Sequence, residues 1–166
     1  MNRRACLARG LLVLAASAAA GCATPRRPAA PENAELKVWA GRLALNVDSE
    51  PRQSFSASFE LKGNASAGEL TLISPLGNML ATLRWSPGSA TLRTAQDVQQ
   101  YDSVDTLTRQ MLGTSLPIHA LFDWLDGIYT TAAGWSADLV RLEQGRLVAT
   151  RATPAPAAEL RLVLDQ

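Results

Sequence analysis

The chain has 166 residues, 47% hydrophobic, 19% charged and 5% aromatic, with a formal net charge of +1. That length holds one compact domain plus a processed leader, and the composition lies outside the range of disordered chains. That near-neutral balance argues against a nucleic-acid or anionic-surface binder, since both need clustered cations.

Residues 1–21 read as a secretion leader. Arg3, Arg4 and Arg9 form a basic start, Leu11 to Ala20 form a ten-residue apolar stretch, and small residues lead up to Cys22. The apolar stretch is about half of what a membrane-spanning helix needs. Ala19-Ala20-Gly21-Cys22 resembles a lipobox, at which a diacylglycerol is attached to the thiol and the chain is cut before it; leucine is commoner at the position of Ala19. Cys6 has no apolar segment ahead of it and leaves with the leader, so Cys22 is the one cysteine of the mature chain. No intramolecular disulfide can form, and acylation would block a thiol that is a liability in an oxidising compartment. Residue 23 is alanine and not the aspartate that commonly retains such proteins in the inner membrane, so the expected address is the outer membrane, lipid-anchored and facing the periplasm. Cleavage takes three arginines and no acids from 16 basic and 15 acidic residues, leaving 13 against 15 and a net charge near −2.

Residues 22–33 are expected to be the lipidated cysteine and a tether. Pro25, Pro28 and Pro31 recur every third residue. That spacing favours an extended polyproline-like chain of about 3.1 Å per residue. Residues 34–166 form a single domain in this reading.

From Leu36 onward, apolar and polar residues alternate. Leu43, Leu45 and Val47 oppose Arg42, Ala44 and Asn46, and Phe55, Ala57, Phe59 and Leu61 oppose Ser54, Ser56, Ser58 and Glu60. Such a period of two predicts strands with one apolar face. Further strands are predicted at 69–73, 79–85 and 90–94, separated by turn signals at Gly63-Asn64, Pro75-Leu76-Gly77 and Pro87-Gly88. The period then lengthens. Val104, Leu107, Met111 and Leu112 share a helical face behind a Ser103 or Asp102 cap, and Gly113 follows. A second helix is predicted with Pro117 in its first position, carrying Ile118, Leu121, Phe122, Trp124 and Leu125 up to Gly127. Alternation returns at 139–142, 146–151 and 159–164. The predicted fold is mainly β with a short helical insertion, a curved antiparallel sheet of eight or more strands whose only available cover is the two helices.

Several segments together resemble the LolB family across nearly the whole mature chain. They are Ala20-Gly21-Cys22, Trp39-Ala40-Gly41-Arg42-Leu43, Ser74-Pro75-Leu76-Gly77, and Leu112-Gly113 followed by Leu116-Pro117 and by Leu121-Phe122-Asp123-Trp124-Leu125-Asp126-Gly127. The chain departs from the family pattern where a tryptophan is common near Phe59-Glu60-Leu61, where proline often follows the match to Gly127, and at Asp165-Gln166. The resemblance implies a half-open antiparallel β-barrel covered by helices. It also implies an outer-membrane protein that accepts lipoproteins from the soluble periplasmic carrier LolA in a hydrophobic cavity and inserts their acyl chains into the outer membrane. No nucleotide is consumed at that step.

Leu76 is the sharpest candidate residue. Pro75 restricts the backbone and Gly77 permits a tight reversal, so the leucine between them is expected at a loop tip, and the resemblance implies that it contacts membrane. The alternative is a turn leucine folded back onto the core. The expected acyl-chain cavity is the apolar face formed by Leu43, Leu45, Phe55, Phe59, Leu70, Leu72, Leu83 and Trp85 of the strands with Leu107, Met111, Leu121 and Trp124 of the helices. Acyl chains need apolar walls and little else. For any single one of these residues, plain core packing is the competing reading. Arg42 reads as a surface arginine, or one that pairs with an acid or faces the carrier. The single histidine, His119, reads as a surface or capping residue.

One histidine excludes multi-histidine metal sites, and no nucleophile-elbow, zinc-helix or phosphate-loop motif occurs, so no enzymatic activity, metal or cofactor is expected. The expected partners are the carrier, lipoprotein acyl chains and outer-membrane lipid, met by a monomer. A generic binder of lipids or other apolar ligands on the same kind of curved sheet is the alternative, since fold does not fix function. Such a binder needs no apolar loop tip.

Overall fold

The computed structural model describes residues 37–165. The expected leader, lipidated Cys22 and tether lie outside them. Among the described residues, nine strands form one antiparallel sheet in the order β6-β5-β4-β3-β2-β1-β9-β8-β7. They are β1 Lys37–Val47, β2 Gln53–Gly63, β3 Gly68–Ile73, β4 Met79–Ser86, β5 Ser89–Thr94, β6 Val98–Tyr101, β7 Trp135–Asp138, β8 Arg146–Arg151 and β9 Ala158–Leu164. β1 pairs with β9, which joins the two halves of the chain at the middle of the sheet. The sheet is open, with β6 and β7 as its edges.

Alternation in the sequence becomes sidedness in the sheet. Leu45 and Val47 of β1, Phe59 and Leu61 of β2, Leu83 and Trp85 of β4, Leu147 of β8 and Leu160 and Leu162 of β9 are all buried in a single cluster, while Arg42, Asn46 and Arg161 point to solvent. Each large side chain moved out of water there gives about 1.5–3 kcal/mol.

Two helices separate β6 from β7, α1 Val104–Leu112 and α2 Ile118–Leu125. The Ser103 hydroxyl accepts from the Thr106 amide at 3.1 Å and caps α1, a bond of about 1 kcal/mol. Gly113 ends α1 in the left-handed conformation, φ 67°. Pro117 turns out to be the N-cap of α2 and not its first helical residue; its carbonyl accepts from the Leu121 amide at 3.0 Å, so it opens the helix without donating. Beyond Asp126, the Gly127 amide donates to the Trp124 carbonyl and the Ile128 amide to the Asp123 carbonyl, a paired closure that needs the positive φ of Gly127.

The helices differ in depth. Ile118, Ala120, Leu121, Phe122, Trp124 and Leu125 of α2 are buried, whereas α1 buries only Val104, Leu107 and Thr108. The Phe122 ring meets Trp39 edge-on at 5.4 Å and lies 6.2 Å from Trp85. The connection between the helices is pinned from both sides. The Trp135 indole donates to the Ser115 carbonyl at 2.9 Å, the Leu116 amide donates to the Thr108 hydroxyl at 3.1 Å, and the buried Arg151 guanidinium donates to the Thr114 hydroxyl.

Two differences from the sequence reading concern strands. Residues 139–142 form a turn and the start of a short 3₁₀ segment, Leu142–Gln144, instead of a strand. Their backbone bonds close locally, with the Leu142 amide on the Leu139 carbonyl and the Gly145 amide on the Leu142 carbonyl, and the Asp138 carboxylate accepts from the Val140 amide. The true strand β7 lies just before them. β6 was not expected from the sequence, because as an edge strand it leaves Val98 and Gln100 exposed and so carries no apolar alternation.

Candidate functional site

The β3–β4 connection runs over residues 74–78, and hydrogen bonds between Ser74 and Asn78 close a three-residue loop, Pro75-Leu76-Gly77. The Ser74 amide donates to the Asn78 carbonyl at 2.8 Å, the Gly77 amide to the Ser74 carbonyl at 2.9 Å, and the Asn78 amide to the Ser74 hydroxyl at 3.1 Å. Three-residue hairpin loops of this kind require a left-handed third residue, and Gly77 supplies it at φ 83°. Proline in the first position presets the turn and gives up an amide that the ladder does not use. These constraints fix the backbone around Leu76, a residue that is 88% exposed.

Apolar exposure continues past the turn. Met79 is 63% and Leu80 38% exposed. Leu72 pairs with Ala81 but Ile73 pairs with Met79, so Leu80 is the extra residue of a bulge, a feature that bends a strand and re-aims its side chains. From Ser74 to Leu80 the chain has no ionisable side chain. Burying a leucine is worth about 1.5–3 kcal/mol, which this turn leaves unrealised in water.

The strand register locates the turn within the sheet. Lys37 pairs with Gly63, and Gly63 with Gly68, so the start of β1 and the start of β3 share one end. Leu76 follows the far end of β3. Phe55, Gln53 and Val47 lie toward that far end too, because Ser58 is already opposite Ile73. A cavity of about 410 Å³ opens beside them, walled by Leu45, Val47, Phe55 and Leu112 with Arg52, Gln53 and Ser54. A second cavity, about 320 Å³, lies at the Lys37 end around Trp85, Pro87, Val104 and Ile118, and its lining includes Asp102, Asp105 and His119. Both are open depressions of the surface and not enclosed cavities.

The residues expected to line an acyl-chain cavity are placed unevenly. Leu45, Phe59, Leu83, Trp85, Leu107, Leu121 and Trp124 are buried in the core cluster; Leu43, Leu70 and Leu72 are half-buried against it; Phe55 and Met111 are exposed. Among them, Leu45 and Phe55 line the larger cavity and Trp85 the smaller one. Trp124 is fully buried and its indole donates to the Thr130 carbonyl at 2.7 Å, the arrangement of a packed core residue. Four apolar residues of this end were not among those expected to line the cavity. Val47 continues the alternation of Leu43 and Leu45, and Leu112 follows Met111 on the same helix, so both carried a usable signal. Met79 and Leu80 carried none, since a bulge is not visible in a strand pattern.

Comparison with known proteins gives a consistent answer. A family model described as outer membrane lipoprotein LolB matches residues 38–157. The outer-membrane lipoprotein LolB of Bordetella petrii is 30% identical over 98% of this chain and 92% of its own length. Those of Cupriavidus taiwanensis and Chromobacterium violaceum are each 34% identical, over 76% and 72% of this chain and 68% of their own lengths. This chain therefore belongs to the LolB family of outer-membrane lipoproteins.

Proposed function

We propose that this protein is the outer-membrane receptor that takes lipoproteins from a LolA-type periplasmic carrier, shelters their acyl chains against its apolar face, and inserts them into the membrane. In this reading residues 1–21 are removed, Cys22 carries the lipid anchor, and the domain from residue 34 acts as a monomer. The open sheet is the wall of a half-open barrel and the helices are its cover. The observation that carries the reading is Leu76, held out in water at 88% exposure by a turn that has no structural use for it.

The step needs no energy source if each site binds the chains better than the one before, because a receptor moves an equilibrium only by its differential affinity. Bilayer burial is the sink, at about 0.8 kcal/mol per methylene. A single leucine is too weak to hold the domain on a membrane but sufficient to bias a tethered domain toward brief contact. The apolar side chains beside it, Phe55, Met79 and Leu80, extend the surface along which a chain would pass. Of the two helices, α1 is the one that can yield, since Leu112 borders the larger cavity and α2 is locked by Trp39 and Trp85.

Reconstitution tests the proposal. A purified carrier loaded with a lipoprotein is mixed with this protein and then with liposomes; cargo is expected on this protein first and in the liposomes second. Cargo that stays on the carrier would refute the reading, and cargo that reaches this protein but never the liposomes would leave only a passive lipid binder.

A further inference from the structure

Arg151 ends β8 as a buried cation without a counter-charge. It is only 7% exposed, the ion pairs among the described residues all lie elsewhere, and its Nε has no hydrogen-bond partner among them. The one side-chain hydrogen bond it makes there goes to the Thr114 hydroxyl. A charge withdrawn from water is costly unless it is well paired, and a single neutral hydroxyl is poor compensation. Holding the connection between the helices does not require the charge, since the Trp135 indole and the Thr108 hydroxyl already bond Ser115 and Leu116, the two residues after Thr114.

The register says what Arg151 can meet. Arg151 and Val47 both pair with Ala158, from either side of β9, and all three are buried, so they form one inward row across β8, β9 and β1. Two strand spacings, about 10 Å, separate the backbones of Arg151 and Val47. Val47 lines the larger depression, and so does Leu112, two residues before Thr114. Arg151 is not itself part of that lining, yet its neighbours on the sheet side and on the helix side both are. We propose that Arg151 is the polar end of the acyl-chain site, donating to the ester carbonyl oxygens of a diacylglyceryl group whose chains lie along this depression, with the Thr114 hydroxyl as its partner until then. The inference rests on the lipoprotein-receptor reading. A diacylglyceryl group carries no charge, and its strong acceptors are the ester carbonyls, placed where the chains meet the glycerol. A guanidinium offers several N–H donors in a fixed fork, and bonds from a charged donor are roughly twice as strong as neutral ones. Exchanging Thr114 for a carbonyl therefore favours an ester-bearing chain over bare hydrocarbon.

The test measures calorimetric binding of two short-chain lipopeptides to the mature chain, one with ester-linked chains on the glycerol of its cysteine and one with the same chains ether-linked. The ester form is expected to bind more tightly by about fivefold or more. Arg151→Met should bring that ratio below about twofold while leaving ether binding unchanged, and Thr114→Val, which removes the competing hydroxyl, should raise it. Equal binding of the two forms by the unaltered protein would overturn the inference, as would an unchanged ratio in either variant. An Arg151→Met chain that weakens both forms alike, the mark of a structural role, would overturn it too. A phospholipid with the same ester chains tells cargo from bilayer lipid: binding tighter than the lipopeptide by about fivefold, and lost in Arg151→Met, would assign the guanidinium to a phosphate and not to a carbonyl. A protein that binds neither lipopeptide loses the acyl-chain site itself, whereas normal transfer from the carrier with no ester preference removes only the role of Arg151.

Discussion

The two ends of the sheet are built on opposite terms. At the Lys37 end, Trp39, Trp85 and Phe122 pack together, the Trp85 indole donates to the Asn64 carbonyl at 3.1 Å, and a Cβ added at Gly68 would run into the Trp85 ring and the Lys62 carbonyl. At the other end, Leu76, Met79, Leu80 and Phe55 remain in water, and a Cβ added at Gly77 would meet nothing within 4 Å. The aromatic cluster holds the fold together; the turn leaves its apolar side chains in water. Under the proposed function, stability and lipid contact fall to different residues of one sheet, and substitutions at the two ends should separate them.

The largest effect is expected from Phe122→Ala, which empties the contact between α2 and the two tryptophans. A loss of about 3–5 kcal/mol should appear in urea unfolding. Gly68→Ala asks a tightly packed position to accept a methyl group and should cost about 1–3 kcal/mol by the same measurement. Gly77→Ala has open space around it, so only the left-handed backbone opposes the change, and about 1–2 kcal/mol is expected. Leu76→Glu should shift unfolding by no more than about 0.5 kcal/mol, the range of exposed sites. A destabilisation by Leu76→Glu as large as that of Gly68→Ala would break the division between the ends.

Much of the fold was legible because one face of each long strand is buried. Alternation at Leu43–Val47 and Phe55–Leu61 marked β1 and β2, and Ser103, Gly113 and Gly127 marked the helix ends through their own backbone chemistry. Edge strands were not legible. β6 and β7 are four residues each, too short for alternation to show even though β7 buries Trp135, and the alternation from Leu139 to Leu142 mimicked a strand although its amides are satisfied within a turn. At the site the same limit recurs. Periodicity marks Trp124 and Leu45 alike as facing inward, yet one packs solidly in the core and the other borders a cavity, a difference set by what stands opposite each. Leu76 is the exception, since proline before it and glycine after it determine the local backbone without help from the rest of the molecule.

The central claim is that the exposed leucine delivers cargo to lipid and does not hold it. Carrier-to-receptor transfer and receptor-to-liposome insertion, followed separately for Leu76→Glu and the unaltered protein, address that claim most directly. Unchanged acceptance with insertion reduced at least tenfold is the predicted result, and insertion at the unaltered rate would contradict it.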